Sequence, residues 1–208
     1  MRFGTDGVRG RANTELTASY ALDLGRAAAK VLRASRAVVG GDTRVSTPML
    51  EAALVAGLSA EGVEVIRLGV TPTPAVAFEA ARLGALGAVV SASHNPYQDN
   101  GIKLFAAGGT KLPDDVEAAI EHELTLLGPT DGEPGVVHGR RDPSEYLDHL
   151  LAVLDGRDLL GLRVVVDAAN GAASHIVAEA FQRTGAGVVV VNATPDGRNI
   201  NLECGATH

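Results

Sequence analysis

The stretch Leu86-Gly87-Ala88-Val89-Val90-Ser91-Ala92-Ser93-His94-Asn95-Pro96-Tyr97-Gln98-Asp99-Asn100-Gly101-Ile102-Lys103 carries an apolar run straight into a polar loop. A short valine-rich run bounded by turn residues reads as a buried strand. Pro96 and the Asn100-Gly101 pair are expected to make the bends of the loop, and Lys103 ends it. A loop at the carboxyl end of a parallel strand is where open α/β sheets place ligands. Such a loop holds the Ser93 hydroxyl in the open, with the Lys103 ammonium near enough to neutralise an anion placed on it. That arrangement implies phosphoryl transfer through a phosphorylated serine. A phosphoserine carries roughly two negative charges and needs donors around it. Backbone N–H groups of the loop and Lys103 could supply them.

The same alternation extends to both sides. Upstream, residues 37–39 read as a short strand ending in Gly40-Gly41, and Asp42-Thr43-Arg44 turns the chain. A helix over 48–60 follows, with Pro48 in its first turn, where no N–H is needed. Residues 63–68 form the next strand, Thr71-Pro72-Thr73-Pro74 breaks it, and another helix runs to about 82. Nearer the start, Gly4 to Arg11 is glycine-rich and charged, and Thr17 reads as the N-cap of a helix carrying Leu22, Ala29 and Leu32. Downstream, 102–105 reads as a strand turning at Gly108-Gly109, and 114–127 as a helix with acids in its first turn. The breaker-rich segment 128–143 reads as a loop or hairpin, with a short helix over 144–154 after it. At Gly161 the pattern restarts with a strand over 162–167, a turn over 168–173, a helix over 174–184 and a strand over 188–192.

Strands alternating with helices predict α/β layers. The expected architecture is a layered mixed or parallel sheet flanked by helices over residues 1–155. An incomplete second α/β unit over 156–208 follows, with the boundary near 155–160. About fifty residues bury too little to make an independent domain, so either the remainder of that unit is missing or it leans on something else.

Composition narrows the function. Of 208 residues, 46% are hydrophobic but only 3% aromatic, so Ala, Val and Leu must fill the core. A net charge of −7 argues against a general nucleic-acid binder or a membrane-surface protein. A phosphate site must then be a local cationic pocket. Only three of the 18 basic residues are lysines, namely Lys30, Lys103 and Lys111. Cys204 is alone, which rules out an intrachain disulfide and favours a reducing, cytoplasmic compartment. The first residues lack the apolar core of a signal peptide, and no run reaches the ~18 apolar residues of a membrane span.

A serine–histidine hydrolase is the rival chemistry. Neighbouring side chains on extended backbone point apart, so His94 is a poor base for Ser93. Nothing in the spacing of His122, His138, His149, His175 or His208 suggests a partner, and the Gly-x-Ser-x-Gly elbow is absent around Ser93. Arg9 and Arg11 lie among glycines, where a guanidinium fork can grip phosphate or carboxylate. Arg9 is read as functional, while for Arg11 a ligand role and a charged tail stay equally open. Asp42-Thr43-Arg44-Val45-Ser46 either orders the active loop, touches ligand or is a structural turn. Asp167-Ala168-Ala169-Asn170-Gly171 reads as a tight strand-to-helix turn. Asp114-Asp115 reads as a helix-dipole cap, and no carboxylate or His/Cys cluster with metal spacing is evident.

Three stretches resemble motifs of the phosphohexomutase superfamily, and within it the branch acting on glucosamine phosphate. They are Phe3-Gly4-Thr5-Asp6-Gly7-Val8-Arg9-Gly10 with Ala12-Asn13, then Ser91 to Lys103, then Gly197-Arg198-Asn199-Ile200-Asn201 through Gly205-Ala206-Thr207-His208. The resemblance implies that Ser93 is the phosphorylated catalytic serine and, through its phosphate, a ligand to Mg²⁺. It implies Lys103 and Arg9 near that phosphate, as proton-transfer or charge-stabilising groups. His94, Asn95 and Arg11 would bind phosphate or substrate, and the substrate would be a phosphosugar. Glucosamine 6-phosphate would become glucosamine 1-phosphate through a bisphosphate. Phosphoglucomutase or phosphomannomutase activity is the alternative within the family; a non-catalytic phosphosugar-binding or interaction module is the alternative outside it. The Asp-Gly-Asp-x-Asp-Arg metal loop, the sugar-specificity loop and the distal phosphate loop of the superfamily have no counterparts in this sequence. The expectation is therefore a truncated chain, inactive alone, whose strand at 188–191 leaves an open edge for homo-oligomer formation.

Overall fold

The computed structural model describes residues 1–4, 6–139 and 143–207. In chain order the elements are β1 (Val8–Arg11), α1 (Ala18–Leu32), β2 (Arg36–Gly41), α2 (Thr47–Ala60), β3 (Glu64–Val70), α3 (Thr73–Leu83), β4 (Leu86–Val90) and β5 (Asp99–Phe105). Then come α4 (Asp114–Glu123), β6 (Val137–His138), α5 (Ser144–Ala152), β7 (Arg163–Asp167), a 3-10 turn (Ala172–His175), α6 (Val177–Gln182) and β8 (Gly187–Val191).

One six-stranded sheet has the order β1-β5-β4-β2-β3-β6. Strands β4, β2, β3 and β6 are parallel, whereas β5 runs antiparallel to both β4 and β1. The sheet is covered on both faces, which is why its central strands are almost wholly apolar. Alternate residues divide between two clusters. Ala37, Val39, Leu86, Ala88 and Val90 join the core built with α1, α2 and α4, while Val38 and Val89 face α3.

A core poor in aromatics requires close backbones. A Cβ on Gly57 of α2 would lie 2.0 Å from the Leu22 carbonyl oxygen, and one on Gly25 of α1 would lie 2.5 Å from that of Leu54. The bare glycines let the two helices touch through their main chains. That contact drives Leu24, Leu50, Leu54 and Leu58 out of solvent, each such burial contributing about 1.5–3 kcal/mol. The expected cap forms: Thr17 Oγ1 accepts from the Tyr20 N–H at 3.2 Å.

Several expectations need correction. The charged tail left open for the amino-terminal segment falls away, because the segment is an edge strand, with Arg9 opposite Gly101 and Val8 fully buried. The Asn100-Gly101 pair does not bend the chain, because both residues lie inside β5. Glycine is needed there for another reason: a Cβ would stand 2.8 Å from the Ser91 oxygen and 3.0 Å from Arg9 Cγ. Of the loop or hairpin expected over 128–143, the described residues form a loop that carries one two-residue strand, β6, laid parallel against β3, and residues 140–142 lie outside the described residues. Helix α4 ends at Glu123 rather than 127, and the helix read over 174–184 divides into a 3-10 turn and α6.

Strands β7 and β8 pair in parallel as a separate two-stranded sheet. Helix α5 wedges between the two sheets' layers. Its Tyr146 and Leu147 are buried with Ala75 of α3 and with Ile176, beside Phe78 and Ala180.

Gly57→Ala should force α1 and α2 apart at Leu22. Overpacking of this kind costs on the order of 1–3 kcal/mol, so thermal denaturation should show a fall of several degrees in Tm. An unchanged Tm would mean that the helices yield without loss.

Candidate active site

The loop after β4 is built by its own hydrogen bonds. The Ser91 N–H donates to the Gly101 oxygen at 2.9 Å, carrying the β4–β5 pairing one residue further. Ser93 then enters the left-handed region, with φ of 56°, a conformation a non-glycine residue rarely holds. Its N–H donates to Ser91 Oγ at 3.1 Å. The Asn95 N–H donates to the Ala92 oxygen and the Asp99 N–H to the Pro96 oxygen, each at 3.1 Å. Asn95 Nδ2 donates to Asp99 Oδ2 at 3.0 Å, so this side chain braces the loop.

Ser93 is exposed, with Oγ 3.4 Å from His94 Nδ1. The expectation that adjacent side chains point apart fails here. It holds for extended backbone, and the left-handed turn at Ser93 brings the two groups to the same side.

Arg9 and Lys103 meet through the sheet. Arg9 stands opposite Gly101, and Lys103 lies two residues further along β5, on the same face. Asp6 joins them: its carboxylate is 3.3 Å from Lys103 Nζ and 3.4 Å from Arg9 Nη2. The hydrogen bond from Lys103, then the Lys103 charge and that of Arg9, hold the Asp6 carboxyl below the usual carboxylate range. Lys103 Nζ also lies 5.5 Å from the centre of the Phe105 ring. Arg9 Nε is buried with no hydrogen-bond partner among the described residues. Arg11 is drawn elsewhere. It lines a depression of about 330 Å³ with Met49 and Tyr97, and no hydrogen bond or ion pair among the described residues ties its guanidinium to Ser93, Lys103 or Arg9.

Beneath the loop lies Arg44, 1% exposed. Its Nη1 pairs with Asp42 Oδ2. Its Nη2 donates to the carbonyl oxygens of Ser93 at 3.2 Å and Asn95 at 2.6 Å. Asp42 Oδ1 accepts in turn from the Arg44 N–H at 3.0 Å and Thr47 Oγ1 at 2.9 Å. Fully buried Asn100 donates to Ser46 Oγ and Thr47 Oγ1 at 2.9 and 3.1 Å. Of the three readings of the Asp42-Thr43-Arg44 turn, ordering the loop is the one these contacts bear out. The turn also touches the second unit, where Thr43 Oγ1 donates to the Asn170 oxygen at 2.5 Å.

Two residues were not singled out by sequence. Asn100 read as a turn former because Asn-Gly is a hairpin signal, yet it is the buried link between β5 and α2. Asn201 lay within a quoted motif with no role attached. Its Nδ2 donates to the Ser93 and Asn95 oxygens at 3.0 and 3.1 Å.

Among the described residues no group of three or more His, Cys, Asp or Glu is placed to hold a metal ion.

Residues 1–127 match the model of phosphoglucomutase/phosphomannomutase, alpha/beta/alpha domain I. The chain belongs to the phosphoglucomutase/phosphomannomutase family. It is 55% identical to a phosphoglucosamine mutase of Rhodococcus opacus (strain B4) and 54% identical to one of Rhodococcus jostii (strain RHA1). Each match covers 99% of this chain and 49% of the relative. The chain thus spans about half the length of the curated relatives it matches. Among solved structures, a phosphoglucomutase/phosphomannomutase family protein from Burkholderia thailandensis superposes with a TM-score of 0.81 at 29% identity, over 94% of this chain and 44% of that one. No helix among the described residues is long and apolar enough to cross a membrane.

The Asp6 bridge gives a pH signature. A carboxyl lowered on folding stabilises the fold above its unfolded-state pKa, and that contribution is lost as pH falls through the lowered folded value. In a carbon-13 NMR titration, Lys103→Met should move the Asp6 pKa upward, because Lys103 is the main cause of the depression. An unmoved titration would show that the bridge does not form in solution.

Proposed function

We propose that this chain carries the phosphoserine half of a phosphoglucosamine mutase, with Ser93 as the covalent carrier. The observation that carries the reading is Ser93 itself: an exposed serine in the left-handed region at the carboxyl end of β4, its loop held from below by buried donors. The names of the 50–55% identical relatives support the choice of amino sugar.

In this reading the Ser93 Oγ–P bond breaks as the phosphoryl group moves to the 1-hydroxyl of glucosamine 6-phosphate. The hydroxyl proton leaves and Ser93 Oγ regains one. The bisphosphate turns end for end, its 6-phosphoryl returns to Ser93, and glucosamine 1-phosphate departs. Phosphoryl transfer demands charge neutralisation more than covalent help. Lys103 and Arg9 are the cations assigned to it, and His94, 3.4 Å from Ser93 Oγ, is the side chain nearest to serve the phosphate. Asn95 acts through the loop, and Arg11 is assigned to the rim of the substrate cleft. Magnesium enters only by family resemblance, with Ser93's phosphate as its one ligand in this chain. Residues 1–155 would form the serine-bearing domain and 156–208 part of the next, in a cytoplasmic enzyme.

Intact-mass measurement of protein from cells should show one covalent phosphate, absent from Ser93→Ala. The chain alone should give no mutase turnover, whereas a polypeptide of the relatives' full length should, and Ser93→Ala there should abolish it. Unmodified Ser93 together with undiminished turnover in Ser93→Ala would end the proposal. Among the described residues the outer edge of β8 is unpaired, and Val165 and Val189 are 71% and 53% exposed. Light scattering of the chain should therefore show dimers or larger species, and a monomer at high concentration would count against pairing at this edge.

A further inference from the structure

We infer that Asn201, from the second unit, is a positioning residue for Ser93: its amide and the Arg44 guanidinium together hold the serine loop in its left-handed turn. The inference rests on the reading of Ser93 as phosphoryl carrier.

A left-handed serine persists only where its surroundings over-determine it. Here the surroundings are two carbonyl oxygens and two donor groups. The Ser93 and Asn95 oxygens both receive Arg44 Nη2 and both receive Asn201 Nδ2. Two carbonyls aimed at one place repel unless donors lie between them, so the donors decide whether the turn survives. Arg44 reaches them from the first unit, pinned by Asp42. Asn201 reaches them across more than a hundred residues of sequence.

Asn201 is itself held. It has φ of 58°, a conformation asparagine tolerates better than most residues. Its N–H donates to the Ala169 oxygen at 3.0 Å. Adjacent contacts lock the same seam: the Val45 N–H donates to the Gly197 oxygen at 2.8 Å, and a Cβ on Gly197 would stand 3.2 Å from that of Val45. Asn201 therefore arrives on a rigid arm. The assignment of nitrogen and oxygen in its amide is dictated by the partners, since both are acceptors.

The role is that of a donor, not of a space filler, and two variants separate these. Asn201→Ala removes donor and bulk, while Asn201→Asp keeps the size and removes the donor. In the 208-residue chain, hydrogen exchange of the amides over 92–98 should speed up at least tenfold in both variants, with β2 and β4 unchanged. In a polypeptide of the relatives' full length, kcat for the hexose phosphate should fall at least tenfold in both, with KM within twofold and Tm within two degrees or so. Wild-type kcat in either variant, or wild-type behaviour in Asn201→Asp alone, overturns the inference. So does a loss of kcat that comes only with a general rise in exchange or a fall in Tm. Ser93→Ala in the same background distinguishes the failures. If it stays active, the phosphoserine reading falls; if it is dead while the Asn201 variants are normal, only the positioning role falls.

Discussion

The buried Arg44 guanidinium is the interaction on which the candidate site depends. A charge this deep is costly unless paired and fully hydrogen-bonded. Asp42 neutralises it through Nη1, Nε is buried with no hydrogen-bond partner among the described residues, and Nη2 must find acceptors. The nearest are carbonyls of the Ser93 loop, so satisfying the arginine and shaping the loop are one requirement. Burial lowers the Arg44 pKa while Asp42 opposes the shift, and an arginine remains charged in either case. The loop geometry is thus not set by the loop's own sequence alone. It is set also by a buried charge whose Nη2 donates to two carbonyls of that loop.

Sheet topology supplies the rest of the site. Had β5 been parallel to β4, a long crossover would have separated Ser93 from Lys103. Reversal brings β5 directly alongside β4, and β1 then adds to its free edge. Three strands thereby put Lys103 and Arg9 on one face of the sheet, at the end where the Ser93 loop leaves β4. Gly101 sits in the middle of this arrangement, and its missing side chain leaves room for the stem of Arg9 to lie across β5. In a chain with net charge −7, the two cations become a local exception, and Asp6 is the counter-ion lying between them.

How much of this was legible depended on where the information sits. The parallel strands β2, β3 and β4 and the helices α1, α2 and α3 were read correctly because their signals are local: valine runs, the Thr17 cap, Pro48 in a first turn. The mixed sheet and the motif-bearing serine loop were legible for the same reason. Strand β1 was not, because an edge strand of Gly and Arg has no apolar alternation, and only pairing with β5 makes it a strand. Asn100-Gly101 misled because a turn-forming dipeptide was overridden by burial. His94 was misjudged because one φ angle changes where a side chain points, and no composition rule reveals a left-handed serine. Asn201 was illegible in role, since its contacts span the two units.

That last point bears on the second unit as a whole. Two strands and a six-residue helix leave Val165 and Val189 in solvent, so the unit gains little from its own packing. What orders it is contact with the first: the Tyr146–Leu147–Ile176 cluster on one side, and the seam of Thr43 with Asn170, Val45 with Gly197, and Asn201 with the serine loop on the other. The seam meets the loop at the Ser93 and Asn95 carbonyls. Rotation of the second unit about α5 could preserve the apolar cluster, which is non-directional, but not the hydrogen bonds, which tolerate little change in angle. The serine's conformation is therefore coupled to the docking of the unit beside it, and the same few donors carry both.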